Sequence, residues 1–198
     1  MNKTMIEIFK EVQIKGKQEY AKYLTDEEAI KKIIGFDITA FQFVPEKFKT
    51  QDMCLHACLI NCYAYLFIPA EYKQNRKIVL TTLSQDGTML KYCPKSIKCN
   101  KEYVYIAMRS NPAALKYTDK VILEDKEFAK KVVDKTPAAI QYFPKFQNDP
   151  EVCASMLMYR PELKNLVGSN VIAEYEKQLH TLNYFIKTGK TEIKKKGE

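Results

Sequence analysis

The feature that most constrains this chain is a pattern that recurs six times, at intervals of about 24 or 25 residues. Each copy contains a landmark position, which is proline in four of the six copies. The landmark residues are Pro45, Pro69, Pro94, Asp119, Pro144 and Val167. A large apolar residue stands four positions before the landmark, and in the first five copies an aromatic residue stands two positions before it. Self-similarity at a fixed period of this length predicts an architecture of stacked repeats.

Within each copy, the local pattern predicts two helices joined by a turn. The first helix begins at a capping residue such as Asn75 or Asn100, whose side-chain oxygen accepts a hydrogen bond from a free N–H group of the first turn. In the second copy either Thr50 or Asp52 fills this role. Apolar residues follow at the third, fourth, seventh and eighth places, which is the one-face spacing of an amphipathic helix. The second helix then ends near the landmark, and its leucine and aromatic residues lie at core spacing.

The chain is therefore predicted to be all-α, with about six helix–turn–helix repeats that form a right-handed-type α-solenoid. A single domain is predicted over residues 1–187, with a capping segment at 1–24 and a closing helix at 171–187. A basic, disordered tail is predicted over residues 188–198. The predicted repeats span residues 25–49, 50–73, 74–98, 99–123, 124–147 and 148–170.

Composition restricts the class of protein further. The 198 residues carry a net charge of +8, which favours acidic partners, although the codon bias of an AT-rich genome is an equally good explanation of the many lysines. The chain has no apolar run that approaches the roughly 18 residues of a membrane span. Because Glu7 interrupts the first apolar stretch and the six cysteines have no disulfide-rich spacing, a cytoplasmic protein is expected, or one delivered into the cytoplasm of a host cell.

The repeats resemble those of a family known as domain of unknown function 4116. The resemblance is strongest over residues 74–147, where the segments GTMLKYCP, AALKYTDK and AAIQYFPK carry it. Residues 25–73 fit more loosely, and the sixth copy has Asn165 where the aromatic residue is expected. The resemblance implies a helical repeat scaffold with no shared catalytic residues, of a kind that also occurs in pathogen effectors.

Few residues suggest chemistry. Cys54, Cys58 and Cys62 recur every four residues with His56 among them, which leaves open a metal site or a row of small core residues. The repeat alignment favours the core, because it places Cys54 and Cys58 at the core positions of Ile78 and Thr82. No arrangement of nucleophile, acid or base is evident, so neither catalytic nor metal-binding residues, nor a cofactor, are predicted.

Lysine is the polar residue that recurs beside the landmark. Stacked repeats would align these lysines into a candidate basic ridge, which comprises Lys91, Lys95, Lys98, Lys116, Lys120 and Lys145. Such a ridge fits an acidic protein surface or a phosphate backbone. The alternative is a solvated face, because lysines are in any case favoured at helix C-termini.

These patterns lead to two hypotheses for function. The first is a non-enzymatic, protein-binding repeat scaffold, such as an effector or inhibitor that sequesters a host or partner macromolecule. The second is nucleic-acid binding through the lysine ridge. Apart from the ridge, features specific to this chain are expected in the copies that depart most from the repeat pattern, which are copies one, two and six.

Overall fold

The computed structural model describes residues 3–189, except for the side chain of Ser155. Every regular element in this range is helical. The α-helices are α1 (Met5–Lys15), α2 (Glu27–Phe36), α3 (Gln51–Ile60), α4 (Arg76–Gln85), α5 (Lys95–Lys98), α6 (Lys101–Ser110), α7 (Lys120–Leu123), α8 (Lys126–Lys135), α9 (Pro150–Tyr159) and α10 (Ser169–Thr188). The 3₁₀ helices are Lys17–Lys22, Ile38–Phe43, Glu46–Phe48, Cys62–Phe67, Ala70–Tyr72, Gly87–Tyr92, Pro112–Tyr117, Pro137–Tyr142, Pro144–Phe146 and Pro161–Leu166.

The predicted order of helix, turn and helix is correct, but the second helix is a 3₁₀ helix in every repeat. Each repeat begins with an α-helix of ten residues and continues with a 3₁₀ helix of six residues. Six residues span about 12 Å as a 3₁₀ helix but only about 9 Å as an α-helix, so the 3₁₀ form better matches the length of the first helix. In the first five repeats a third helical turn follows the landmark, as in α5 and α7.

The predicted first-helix caps are confirmed. Asp26, Asn75 and Asn100 each accept a hydrogen bond from an N–H group in the first turn of the helix that follows. In the second repeat the cap is Thr50, whose hydroxyl accepts from the N–H of Met53. These caps fix where each repeat starts.

A second capping position separates the α-helix from the 3₁₀ helix. In the first four repeats it is a single extended Asp or Asn, and we call these four the junction residues: Asp37, Asn61, Asp86 and Asn111. The N–H of Asp86 donates to the Thr82 carbonyl and closes α4, while its carboxylate accepts from the N–H of Thr88 at 2.8 Å and caps the next helix. One residue therefore supplies a hydrogen bond to the last turn of one helix and another to the first turn of the next.

The core follows the α-helical positions predicted from sequence, with one correction. Four positions before the landmark, Phe41, Tyr65, Leu90, Leu115 and Ile140 are fully buried. Instead of the aromatic two positions before the landmark, the next buried residue is the one directly before it, just after the 3₁₀ helix ends. That position is buried in five repeats, where it holds Val44, Ile68, Cys93, Thr118 and Phe143. The spacing of three residues is the period of a 3₁₀ helix.

The chain divides into two compact units, Met1–Thr118 and Asp119–Glu198. In the first unit α3 packs on α4 and α4 on α6, and the 3₁₀ helices that follow also pack on one another. Close approach requires Gly87, because a Cβ atom there would lie 1.9 Å from the carbonyl oxygen of Ala107. The segment predicted as the N-terminal cap has the same order of elements as a repeat, an α-helix and then a 3₁₀ helix.

In the second unit α8 packs on α9, and α9 packs on α10. Lys126 on α8 lies 2.9 Å from the Asp149 carboxylate and 2.7 Å from that of Glu151. The predicted closing helix, 171–187, lies within α10, which extends through Thr188. The rest of the predicted disordered tail, from residue 190, lies outside the described residues. The predictions of one domain and of a continuous solenoid stay predictions.

We expect replacement of a junction residue to destabilise its repeat. Asp86→Ala removes the acceptor for the Thr88 N–H and should lower the free energy of unfolding by about 1 kcal/mol, as for other helix caps. Asp86→Asn retains an acceptor of the kind present at Asn61 and Asn111, and it should cost much less. Guanidinium denaturation followed by circular dichroism measures both, and equal losses for the two variants would contradict the capping role.

Candidate binding surfaces

The six predicted ridge lysines are divided between the two compact units. Lys91, Lys95, Lys98 and Lys116 belong to the first unit, while Lys120 and Lys145 belong to the second. The structure brings Lys91 and Lys116 onto neighbouring elements, because the 3₁₀ helices Gly87–Tyr92 and Pro112–Tyr117 pack on each other. All six are exposed except Lys98, which is half-buried, and Lys145 lies 3.9 Å from the carboxylate of Glu124.

The lysine four positions after the landmark helps to hold the repeat together. Lys98 donates a hydrogen bond of 2.7 Å to the carbonyl of Lys91. In the first copy Lys49 is only 7% exposed, with its Nζ 2.8 Å from Glu46 and 5.9 Å from the centre of the Phe41 ring. Lys73 lies at the same distance from the ring of Tyr65. At this position the ammonium group therefore contacts its own repeat.

The aromatic residue two positions before the landmark is more exposed than its spacing predicts. Phe43, Phe67 and Tyr117 are half-buried, and Tyr92 is exposed. The Nζ of Lys91 lies 5.3 Å from the centre of the Tyr92 ring. Here an exposed cation and an exposed aromatic ring lie together on one 3₁₀ helix, so Tyr92 is not the core residue that its spacing predicts.

Basic charge is concentrated in the third and fourth repeats of the first unit. Residues 75–118 contain eight Lys and Arg against two Asp and Glu, a net charge of +6. One of the two carboxylates, that of Glu102, is paired with Arg76, and the other belongs to the junction residue Asp86. This part of the chain therefore supplies most of the net charge of +8.

A second surface, which the sequence did not single out, is apolar. Among the described residues of the first unit seven large apolar side chains are exposed, and five of them lie where α1, α2 and α3 end. We call these five the apolar edge: Ile14 (82% exposed), Phe36 (52%), Leu59 (60%), Ile60 (40%) and Tyr63 (51%).

Packing of the elements brings four of these side chains, all except Ile14, to neighbouring turns. The α2 helix packs on α3, and the 3₁₀ helices that follow them also pack on each other, so the two turns lie side by side. The α1 helix joins them through Phe9, whose ring meets that of Phe36 edge-on with centres 5.2 Å apart. Phe36, Leu59, Ile60 and Tyr63 thus lie at the adjoining ends of α2 and α3.

The same positions are polar in the regular repeats. Leu59 is the ninth residue of α3, and the ninth residues of α4 and α6 are Ser84 and Arg109. Ile60 is the tenth residue, where α4 and α6 have Gln85 and Ser110. The apolar edge therefore belongs to the copies that depart from the pattern, and repeat comparison at these positions would have found it.

The turn that carries Leu59 and Ile60 is held by the next repeat. The side-chain amide of Gln85 donates to the carbonyls of Cys58 at 2.7 Å and Leu59 at 3.3 Å, and its oxygen accepts from the N–H of Cys62 at 3.0 Å. One repeat later, Ser110 accepts from the N–H of Gly87 at 3.2 Å. These contacts fix the backbone beneath the apolar edge.

The cysteines of α3 lie in the core, as the repeat alignment predicts, but one position later. Counted from the start of each helix, Cys54 and Cys58 match Val79 and Leu83, not Ile78 and Thr82. Burial raises the pKa of the Cys54 thiol to about 12 and that of Cys58 to about 11. Thiols of this kind are mostly protonated near neutral pH and are weak nucleophiles and weak metal ligands.

Neither histidine lies in a group that suggests catalysis. His56 lines an open groove of about 520 Å³ with Glu27, Lys31, Thr50, Asp52 and Met53, and His180 is exposed on α10. Across residues 3–189, no group of three or more His, Cys, Asp or Glu side chains is arranged to hold a metal ion. In the same range, no helix is long and apolar enough to cross a membrane.

Burial should make most of the thiols unreactive in the folded protein. The six cysteines are thiols outside any disulfide; five are buried, and Cys99 is half-buried. At pH 8 we expect a thiol reagent such as dithionitrobenzoate to modify Cys99 first and the other five much more slowly, because their raised pKa values leave little thiolate. All six should react rapidly in denaturant, and rapid reaction of Cys54 or Cys58 in the folded protein would contradict this assignment.

Comparison with known proteins supports the resemblance noted in the sequence. Residues 75–122, about a quarter of the chain, match the model of the family described as Domain of unknown function (DUF4116). No curated protein and no solved structure matches the chain. The match covers the third and fourth repeats, which are also the most regular copies.

Proposed function

We propose that this protein is a non-enzymatic repeat scaffold that binds another protein. Its repeats stack as a solenoid within each unit, an arrangement supported by the packing of α3 on α4, α4 on α6 and α8 on α9. Stacked helical repeats present an extended surface that suits recognition of a macromolecule. Such a scaffold acts by occupying or sequestering its partner, in the manner of an effector or inhibitor.

The observation that carries this proposal is the apolar edge. Isolated apolar side chains are common on protein surfaces, but a group such as Phe36, Leu59, Ile60 and Tyr63, at the adjoining ends of two packed helices, is not. A protein partner would cover these side chains and gain the free energy of removing them from water. Because the six cysteines are thiols outside any disulfide, we propose that this encounter occurs in a reducing compartment such as the cytoplasm.

The net charge favours a partner with an acidic surface. The +8 of the chain attracts acidic proteins at long range and speeds their association, while the apolar contact supplies affinity. The ridge lysines of the first unit, Lys91, Lys95 and Lys116, are exposed and belong to the segment with a net charge of +6. They contribute to this attraction even where they do not touch the partner.

A charge placed in the apolar edge should prevent binding. We expect Leu59→Glu to weaken capture of the native partner at least tenfold, because a desolvated carboxylate would replace a buried leucine. Ser84→Glu introduces the same group at the ninth residue of the next helix and serves as the matched control. Quantitative co-purification from native cell extract measures both, and equal capture by the two variants would count against the proposed surface.

Nucleic-acid binding is the second candidate, favoured by one observation. Lys91 and Tyr92, on a 3₁₀ helix that packs on the one carrying Lys116 and Tyr117, place cations beside accessible rings. Lysines of this kind neutralise phosphates, and accessible aromatic rings stack on unpaired bases. The concentration of positive charge in residues 75–118 is consistent with this function.

Salt dependence tests the second candidate directly. If about five phosphates are neutralised, the affinity for duplex DNA should fall with salt with a log–log slope of about −4 to −5. Replacing Lys91, Lys95 and Lys116 by Glu should abolish the binding. A variant in which Lys10, Lys77 and Lys135 are replaced by Glu has the same net charge and serves as the control. Identical losses of affinity for the two triple variants would show that binding depends on net charge and not on a specific site.

A further inference from the structure

We propose that the third and fourth repeats bind a single-stranded nucleic acid, with unpaired bases stacked on Tyr92 and Tyr117 and the adjoining phosphates held by Lys91 and Lys116. We call these four residues the lysine–tyrosine pairs. The inference rests on the second candidate function, nucleic-acid binding, and specifies the kind of strand that the surface recognises. It is supported by the repeat positions of the pairs, by their packing and by the charge around them.

The lysines of the pairs are not required by the fold. Lys91 and Lys116 are each the fifth residue of their 3₁₀ helix. The same position holds Gln42 in the first repeat, Leu66 in the second and Gln141 in the fifth, and all three of these segments also form 3₁₀ helices of six residues. Because a repeat forms without a cation at this position, the structural role of a helix-terminal lysine does not account for the two pairs.

Packing brings the two pairs onto neighbouring elements. The 3₁₀ helices Gly87–Tyr92 and Pro112–Tyr117 pack on each other, and each pair occupies the fifth and sixth positions of its helix. The residue before each pair, Leu90 or Leu115, is fully buried and anchors the helix in the core. Two successive repeats therefore present the same combination of a cation and a ring.

The third repeat shows how one pair is arranged. Tyr92 is 46% exposed, and the Nζ of Lys91 lies 5.3 Å from the centre of its ring. The carbonyl of Lys91 accepts a hydrogen bond of 2.7 Å from Lys98, which holds this turn and brings a further ammonium group beside it. A base stacked on Tyr92 would therefore have cations within reach of its phosphate. Tyr117, at the same position of the fourth repeat, is half-buried.

The charge around the pairs is positive. Neither 3₁₀ helix contains Asp or Glu, and the 3₁₀ helix Cys62–Phe67, which packs on the first of them, has no charged residue. The two carboxylates within residues 75–118 are included in the net charge of +6 for that segment. The next carboxylate along the chain, that of Asp119, accepts from the N–H of Val121 and caps α7. A polyanion is therefore the ligand that this surface attracts.

The tyrosines decide between the possible polyanions. In a duplex the faces of the bases are covered by stacking, so a duplex could contact the lysines but not the rings. An acidic protein also has no bases to stack. Only a single strand uses both members of each pair, since its unpaired bases can stack on aromatic side chains while its phosphates meet the lysines.

Binding of the full chain to labelled strands, measured by fluorescence anisotropy, tests the inference. The probes are thymidine and uridine 15-mers, the DNA and RNA duplexes of the same length, and an abasic 15-mer with the same number of phosphates. Each single strand should bind at least tenfold more tightly than the abasic strand, because stacking on the two rings is lost there. Each should also bind more tightly than its duplex, although the duplex has the higher charge density.

Variants of the tyrosines separate stacking from charge. The double variant Tyr92→Leu/Tyr117→Leu should bind the thymidine strand at least tenfold more weakly and the abasic strand equally well. Tyr92→Phe/Tyr117→Phe keeps both rings and should retain binding. Tyr159→Leu removes a tyrosine that is 80% exposed elsewhere in the chain and should change nothing. Circular dichroism confirms that each variant is folded.

Variants of the lysines test the phosphate contacts. Lys91→Gln/Lys116→Gln introduces the residue that the first and fifth repeats have at this position. It should reduce the log–log salt slope for the thymidine strand by about 1.4, because each neutralised phosphate contributes about 0.7 on a single strand. Lys77→Gln/Lys135→Gln removes the same charge elsewhere and should leave the slope nearly unchanged.

Contrary results would overturn the inference in distinguishable ways. Equal binding of the thymidine and abasic strands would exclude stacking on the tyrosines, while phosphate binding by lysines, the second candidate function, would stand. Displacement of the strand by an equal concentration of a 15-residue glutamate peptide would identify an acidic protein as the ligand of this surface. If no nucleic acid bound, both nucleic-acid proposals would be wrong, and the protein-binding function, which rests on the apolar edge, would stand.

Discussion

The turns of the first four repeats depend on the double hydrogen bonding of their junction residues. A single Asp or Asn ends an α-helix with its N–H and begins a 3₁₀ helix with its side chain. This reverses the chain direction within one residue and lets the 3₁₀ helix lie back along its own repeat. Where the fifth and sixth repeats have Thr136 and Arg160, the side-chain cap is missing, although the turn is kept. The device therefore adds stability to a turn that packing also enforces.

Much of the helical fold could be predicted from the sequence, because two signals coincided at fixed spacing. Capping residues such as Asn75 and Asn100 marked the helix starts, and the apolar residues after them had a period that only an α-helix satisfies. The 3₁₀ helices could not be recognised with the same certainty. Six residues contain only two turns, and the pair Leu90 and Cys93, three residues apart, suits either kind of helix.

The surfaces were harder to predict, for a physical reason. An apolar residue in a helix is normally assigned to the core, so Leu59 and Ile60 gave no sign of exposure on their own. Lys98 was assigned to a binding ridge because its hydrogen bond to the Lys91 carbonyl depends on a turn that spacing does not reveal. Comparison of the repeats does reveal the difference, because the ninth residue of the first helix is Ser84 or Arg109 in the regular copies and Leu59 in the second.

The contact between Gln85 and the preceding turn gives the chain a direction. Because α4 supplies the groups that complete the turn after α3, and Ser110 does the same one repeat later, the turns of the second and third repeats are each completed by the repeat that follows. During synthesis the apolar edge would emerge from the ribosome before the residue that holds its turn in place. The turn after α3 would lack its hydrogen bonds to Gln85 until about 25 further residues had been added. During that delay a partner or chaperone would meet a less ordered surface than the one that the folded protein presents.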